Sequence, residues 1–165
     1  MIIRQMNKDD INAMIDCIKT QALDADLPSS DEIDVAHLSH VIRDALIDPR
    51  YYVLVAMEQD HIIGFCAGML TMKHWNPRIY GEIFFIYTHP EKRSKKLADS
   101  LFDGLVDWFT EQKCAYVITS VLHFDEHYKP REDYMRKGDI YFKSKNLQPI
   151  GQYYIKGING SYEGV

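Results

Sequence analysis

Four cationic side chains, Lys92, Arg93, Lys95 and Lys96, crowd the stretch THPEKRSKKLAD at residues 88–99. The stretch joins an apolar run to a helix-like repeat. Where a strand leads into a helix, unpartnered backbone N–H groups and the positive end of the helix dipole attract anions. The cations would add ion pairs, so this position suits a phosphate or pyrophosphate group. A solvated basic turn is the alternative interpretation that charge alone leaves open.

The elements around this loop form a strand, helix, strand unit. YGEIFFIYT (80–88) is rich in β-branched and aromatic residues, which favour a strand. From Leu97 to just before Lys113, apolar residues recur at helical spacing. AYVITSVL (115–122) returns to the composition of a strand. We therefore expect the two strands to pair in parallel, with the basic loop at the carboxyl end of the first.

The rest of the chain predicts further strands and helices in a regular order. Residues 2–6 can form a first strand, and two helices follow, the second ending at Asp48 before a proline. YYVLVAM (51–57) and IIGFCAGMLTM (62–72) predict an antiparallel hairpin. After a polar insertion, the tail predicts a short helix near 139–146 and a last strand in QPIGQYYIKGI. The fold expected is α/β, with a mixed central sheet of six to seven strands and helices on both faces.

Composition narrows the class of protein. The 165 residues, 46% of them hydrophobic, fit a single domain spanning residues 1–165. The net charge of -5 gives no general attraction to nucleic acid. No apolar run is long enough to cross a bilayer, and the N-terminus soon turns polar, so we expect a soluble cytoplasmic protein. Cys17, Cys66 and Cys114 form no CxxC pair, which favours buried free thiols in a reducing compartment.

One short motif points to a different chemistry. HFDEH at residues 123–127 satisfies H-x-x-E-H, a pattern in which two histidines one helical turn apart bind zinc. The residues before it favour a strand, and Pro130 follows soon after, so no helix places His123 and His127 on one face. We therefore expect no metal site.

The stretch EIFFIYTHPEKRSKKLADSLFDGLVDWF resembles the central motif of the GCN5-related N-acetyltransferase (GNAT) family. In that motif an apolar strand and a proline precede Arg/Gln-x-x-Gly-x-Gly/Ala, which opens a helix ending in an aromatic residue. Pro90, Arg93 and Ala98 match the proline and the first and last motif positions, and Trp108 with Phe109 match the helix end. The order of the predicted elements also follows the family over almost the whole chain.

The resemblance implies that acetyl-CoA, as co-substrate, is the anion at the basic loop. Its pyrophosphate would lie on the N–H groups of residues 94–98, and its pantetheine arm would pair with the strand edge at 86–88, where the strand splits from its parallel neighbour. Lys96 stands where the family usually has glycine, so the site is either retained with a negative φ at Lys96 or weakened. The implied cofactor-binding residues are Ile86, Tyr87, Thr88, Arg93, Ser94, Lys95, Lys96, Leu97 and Ala98.

The resemblance also suggests catalytic residues. Attack of an amine on a thioester needs a base, and Glu82 has the offset of the catalytic glutamate in the histone-modifying members. Alternatively, Glu82 faces solvent at the end of the strand or pairs with Arg78. The family's tyrosine acid falls on Phe142 when Asn146 takes the family's glycine position, whereas a one-residue shift makes Tyr141 the candidate acid. A tyrosine of the last strand, or water, could serve instead.

The function implied is an acetyl-CoA-dependent N-acetyltransferase acting on a primary amine of a small molecule or protein, with a homodimer possible. The acidic loop between the first two helices, residues 24–34, would attract a cationic acceptor unless it is simply solvated. The alternative is a family-like domain that has lost catalysis and serves as a CoA-binding or protein-interaction module. Lys96 and Phe142 favour this alternative, whereas Glu82, Arg93 and Ala98 oppose it.

Overall fold

The computed structural model describes residues 1–24, 33–73, 76–119 and 132–148. They belong to two compact units, one formed by Met1–Asp24 and Ser30–Ser120 and the other by Ala25–Ser29 and Val121–Val165. The expectation of a single domain over residues 1–165 stays a prediction.

The first unit contains a five-stranded sheet and three helices among the described residues. The strands lie in the order β1-β2-β3-β4-β5, and all neighbours are antiparallel except β4 and β5, which are parallel. The predicted mixed sheet and its parallel β-α-β unit are therefore confirmed. The elements are β1 (Ile2–Gln5), α1 (Ile11–Asp24), α2 (Val35–Ile47), β2 (Tyr51–Glu58), β3 (His61–Lys73), β4 (Asn76–Thr88), α3 (Lys95–Glu111) and β5 (Val117–Thr119).

The strand count is lower than the six to seven predicted. Five strands are present in the described part of the chain, and β5 begins at Val117 within the stretch 115–122, of which residues 120–122 lie outside the described residues. The predicted last strand, QPIGQYYIKGI, lies outside the described residues except for Gln148. β4 is longer than expected because it begins at Asn76, across from Lys73 at the end of β3.

Helices cover both faces of the sheet, as predicted. On one face α1 and α2 contribute Met14, Ile15 and Ile42 to a buried cluster with Val55 of β2 and Phe65 of β3. Because side chains alternate along a strand, the neighbouring residues point to the opposite face. α3 packs on that opposite face through a stripe of side chains that are at most 3% exposed: Leu97, Leu101, Phe102, Leu105 and Phe109.

Glycine lets α3 approach the sheet closely. A Cβ atom built on Gly81 of β4 would lie 2.5 Å from the Cγ atom of Phe109. A Cβ atom on Gly68 of β3 would lie 2.8 Å from the same ring. At these points the side chains of α3 pack directly on the strand backbone. Gly81 therefore faces α3, and so does Ile83, because residues two apart along a strand point to the same face.

The second unit holds α4 (Glu132–Ser144). The sequence predicts a helix only near 139–146 and assigns the preceding residues to a polar insertion. The helix begins earlier because a charged first turn suits a helix N-terminus, although Gly138 interrupts any apolar stripe. An ion pair of 2.7 Å between Asp139 and Lys143, one turn apart, supports its second half.

The β1–α1 junction carries a buried carboxylate. Asp10, 6% exposed, accepts hydrogen bonds from both terminal nitrogens of Arg4, at 2.6 and 2.7 Å, and from the backbone N–H of Asn7 at 2.8 Å. The hydrogen bonds from Arg4 hold the pKa of Asp10 below its ordinary value of 3.8. The pair ties the first strand to the helix that follows it.

Replacing Asp10 with Asn should lower the free energy of unfolding at pH 7 by about 2 kcal/mol, because it leaves Arg4 without its charged partner. Folding lowers the pKa of Asp10, so the stabilisation is complete above its ordinary pKa and is lost as pH falls through the folded-state value. Urea titrations at pH 7 and at pH 3 should show the difference between wild type and D10N shrinking in acid. The exposed neighbour Asp9 provides the control, since D9N should change little at either pH.

Candidate active site

A tight connection leads from β4 into α3. Pro90–Lys92 form a single 3-10 turn, and the side chain of His89 accepts a hydrogen bond from the Glu91 N–H. Ser94 is the N-cap of α3: its Oγ accepts from the Leu97 N–H at 3.2 Å, and its carbonyl accepts from the Ala98 N–H at 3.1 Å. The first two helical positions belong to Lys95 and Lys96, whose N–H groups have no intrahelical acceptor. These two N–H groups can therefore donate hydrogen bonds to a ligand at the helix N-terminus.

The cations of this loop are not equivalent. The ammonium of Lys92 forms an ion pair with Glu58, and that of Lys95 pairs with Asp99 at 3.2 Å. Arg93 donates from Nε to the carbonyl oxygen of Thr88 at 3.2 Å. Lys96 is exposed and makes no hydrogen bond or ion pair with any residue in the described ranges. Its charge is therefore available to an incoming anion.

The backbone at Lys96 retains the helical conformation. Positive φ values occur in the described residues at Gln59, Asp60, Lys113 and Asn146, and not at Lys96. A lysine therefore occupies this position without the conformation that would require glycine. The substitution of lysine for the family's glycine leaves the helix start intact.

The Lys92 ion pair depends on the β2–β3 hairpin. Gln59 and Asp60, with φ of 49° and 63°, form the two-residue turn between these strands, a conformation typical of tight hairpins. The turn places Glu58 opposite His61 at the end of the hairpin, where its carboxylate meets Lys92. The sequence motif does not reveal this contact, because Glu58 and Lys92 lie far apart along the chain.

In the described part of the chain, one edge of β4 is open next to the helix start. β5, described as far as Thr119, pairs with β4 along Gly81–Ile83. Beyond Ile83, β3 is the sole strand neighbour of β4 among the described residues. Residues 86–88 therefore present a strand edge directly before the basic loop.

The side chains along this edge have different surroundings. Tyr87 is buried on the α1–α2 face, where its ring centroid lies 5.9 Å from that of Phe65. Ile86 and Thr88 are half-buried, while Leu97 at the start of α3 is buried under the helix. The side chains of Tyr87 and Leu97 thus belong to the core, and the N–H of Leu97 is already bonded to Ser94.

A β-bulge interrupts β4 at Phe84. Ile83 pairs with Gly68, and Phe85 pairs with Ala67. Two consecutive residues of β3 therefore face three consecutive residues of β4. The extra residue puts Phe84 and Phe85 on the same face: Phe84 lies 6.1 Å from Tyr51 and Phe85 lies 6.3 Å from Phe65, measured between ring centroids. Sequence reasoning missed the bulge. The sequence signal for the bulge is the doublet FF in EIFFIYT, where two aromatic residues in a row break the alternation between the two faces of the strand.

Glu82 lies two residues before this bulge. Since Gly81 and Ile83 face α3, Glu82 points to the opposite face, on the side where Phe84 and Phe85 lie. The Glu82 side chain is half-buried, and within the described chain it makes no hydrogen bond and no ion pair, including with Arg78. The alternative in which Arg78 neutralises Glu82 is therefore wrong. The carboxylate is available to accept a proton.

The second candidate catalytic residue lies in the second unit. Tyr141 is in the last turn of α4, with its ring centroid 5.5 Å from that of Phe142. Asn146, just after the helix, has φ of 62°, the left-handed conformation that glycine or asparagine adopts at a helix end. This conformation favours the alignment of Asn146 with the family's glycine, which puts Phe142 at the tyrosine position. Tyr141 as general acid stays a prediction.

Other sequence features supply no site in the described residues. HFDEH and most of the acidic loop lie outside them, and Asp34 is the N-cap of α2, where it accepts hydrogen bonds from Ala36 and His37. No cluster of three potential metal ligands occurs in the described ranges. No helix there is long and apolar enough to cross a membrane.

The cysteines are free thiols, and burial makes two of them unreactive. Cys17 and Cys66 are buried, and desolvation raises the pKa of each to about 12. Cys114 is half-buried, and desolvation also raises its pKa. The expectation of buried thiols thus holds for two of the three, and the raised pKa values do not suit a nucleophilic cysteine.

Known structures share this fold. A predicted acetyltransferase from Clostridium acetobutylicum, solved with acetyl-CoA, superposes with a TM-score of 0.73 at 19% identity over 94% of this chain and 95% of its own. An aminoglycoside acetyltransferase from an uncultured soil metagenomic sample, in complex with sisomicin, gives 0.70 at 15% identity over 95% and 96%. A ribosomal-protein-alanine N-acetyltransferase from Brucella melitensis gives 0.65 at 21% identity over 95% and 100%.

The sequence itself identifies the family. No curated protein sequence matches the chain significantly. The model of the Acetyltransferase (GNAT) family, however, matches residues 19–137, well over half of the chain. The matched region contains the open edge of β4, the bulge, the basic loop and the whole of α3. The chain therefore belongs to the GNAT acetyltransferase family.

Proposed function

We propose that this protein transfers the acetyl group of acetyl-CoA to a primary amine. The observation that carries the proposal is the junction of β4 and α3, where an open strand edge leads directly into a capped helix N-terminus with Lys96 available. The first-turn N–H groups of Lys95 and Lys96 and the ammonium of Lys96 suit a pyrophosphate. Backbone groups of residues 86–88 suit the amide-bearing arm, which would extend along β4 toward the bulge.

Glu82 is the proposed general base. Bound acetyl-CoA supplies an activated acyl thioester, and the amine must lose a proton as its nitrogen forms the new C–N bond and the C–S bond breaks. The carboxylate of Glu82 accepts that proton directly or through one water molecule, and its lack of a competing ion pair in the described chain leaves it able to do so. The departing thiolate takes a proton from water.

The proposal is tested by isothermal titration with acetyl-CoA, using K96Q and K92Q as a matched pair. Both substitutions remove one positive charge from the same loop. K96Q should weaken binding by about fivefold, the equivalent of about 1 kcal/mol for a partly exposed phosphate contact. K92Q should change affinity by less than about twofold, because Glu58 already neutralises Lys92.

Comparison ligands make the titration specific. CoA should bind with an affinity close to that of acetyl-CoA, and adenosine alone should bind far more weakly because it lacks the pyrophosphate and the arm. If acetyl-CoA does not bind, or if K92Q and K96Q weaken it equally, the junction of β4 and α3 is not the phosphate site and the proposed function fails.

A further inference from the structure

The face of the sheet that carries Glu82 also exposes aromatic rings. Phe84 is 38% exposed and Phe85 is 50% exposed, and both lie on β4 just beyond the residues that pair with β5. The two rings are 5.5 Å apart in an edge-to-face arrangement, and Phe84 makes a similar contact with Tyr51 at 6.1 Å. We refer to Tyr51, Phe84 and Phe85 as the aromatic face. Its exposed rings are not needed to fill the core.

Strand register brings the carboxylate next to this surface. Met69 of β3 pairs with Tyr51 on one side and with Glu82 on the other, so the three residues form one row across three strands. Phe84 is two residues further along β4 and reaches toward Tyr51. Glu82, half-buried and without a partner in the described ranges, therefore borders the aromatic face.

This combination discriminates between classes of amine. A carboxylate attracts an ammonium group, which must lose one proton to solvent before its neutral nitrogen attacks the thioester, and neighbouring ring faces attract a cation through their quadrupoles. The rings also gain free energy when an apolar group covers them, whereas a polyhydroxylated or polycationic acceptor would keep polar groups against apolar surface. A ligand with one ammonium group and one apolar group satisfies both parts of the surface.

We infer that the acceptor is a primary amine carried on an aromatic or aliphatic group, bound with its nitrogen at Glu82 and its apolar part on the aromatic face. The inference rests on the proposed function for the acetyl donor. Phe84 is then a specificity-determining residue. The bulge keeps both rings on the side of Glu82, because in a regular strand either Phe84 or Phe85 would point toward α3.

The experiment compares four primary amines, 2-phenylethylamine, hexylamine, ethanolamine and spermidine, in an acetyl transfer assay with wild type, F84A, F84L and I79A. Wild type should have a kcat/KM at least about tenfold higher for the two apolar amines than for ethanolamine and spermidine. F84A should lower kcat/KM for 2-phenylethylamine about tenfold, and F84L less so, with ethanolamine changed less than about twofold. Ile79, 42% exposed on the other face of β4, is the control, and I79A should have no effect.

A binding measurement separates this inference from the proposed function. Saturation-transfer NMR detects 2-phenylethylamine bound to the CoA-saturated protein and to F84A, whether or not acetyl transfer occurs. Binding that F84A weakens, without turnover, would support the inference while contradicting the proposed function. Turnover restricted to spermidine or ethanolamine, or no binding of 2-phenylethylamine, would overturn the inference. Circular dichroism of each variant identifies any loss that comes from unfolding.

Discussion

Replacing Glu82 with Gln lowers kcat for amine acetylation by about 100-fold or more, while the dissociation constant for acetyl-CoA stays within about twofold of wild type. The amide is isosteric with the carboxylate but cannot take the proton released by the attacking nitrogen. Its effect on binding is small because the proposed acetyl-CoA contacts lie on residues 86–88 and on the helix start. Single-turnover kinetics provide the measurement, since they report the transfer step separately from product release.

Glu111 offers the matched control for this experiment. It lies at the exposed end of α3, and E111Q makes the same chemical change far from β4 in sequence. E111Q should leave the transfer rate unchanged. If E82Q also transfers acetyl groups at the wild-type rate, Glu82 is not the base and its lack of an ion pair has another cause.

Replacing Gly81 with Ala destabilises the protein by about 3 kcal/mol, because the new Cβ would lie 2.5 Å from the Phe109 ring. Phe109 is fully buried, so neither the ring nor the strand can move without disturbing the packing of α3. For a chain of this length the loss corresponds to a fall in Tm of about 6–10 °C. Thermal unfolding followed by circular dichroism measures it.

Two further variants identify the cause of this loss. In G104A the new Cβ would meet only Cδ1 of Leu54, the end of a flexible side chain, and alanine favours the helix, so the Tm should change little or rise. In an F109A background, adding G81A should cost much less than it does in the wild type, because F109A removes the Cγ, Cδ1 and Cδ2 atoms that the new Cβ would meet. If G81A and G104A have equal Tm values, close packing of α3 on β4 does not limit stability.

The parts of the fold that follow local patterns were predictable. Helical spacing after Leu97, the strand composition of residues 80–88 and the motif at Arg93 together predicted the β-α-β unit and the family. Each signal lies within a short window of sequence, and the motif adds the order in which the elements occur. Capping by Ser94 belongs to the same class, because serine before a helix start is a common N-cap.

The features that depend on distant residues were not predictable. The bulge at Phe84 is a property of the register between β3 and β4, and within β4 itself only the doublet FF points to it. The ion pair between Lys92 and Glu58 joins two turns that are far apart in the sequence. The sequence alone therefore gave no reason to distinguish Lys92 from the other three cations of the loop. Gly81 appeared as an ordinary residue of a strand, although the ring of Phe109 on a later helix determines its identity.

The Glu58–Lys92 ion pair bears on the timing of ligand recognition. It fastens the 3-10 turn before α3 to a tight hairpin that is itself part of the sheet. This contact restricts the conformations of the loop before any ligand binds. The entropy that the loop loses when a ligand binds is correspondingly smaller. We therefore expect an anion to dock onto this surface at a rate governed by diffusion and by the charge on Lys96 rather than by loop closure.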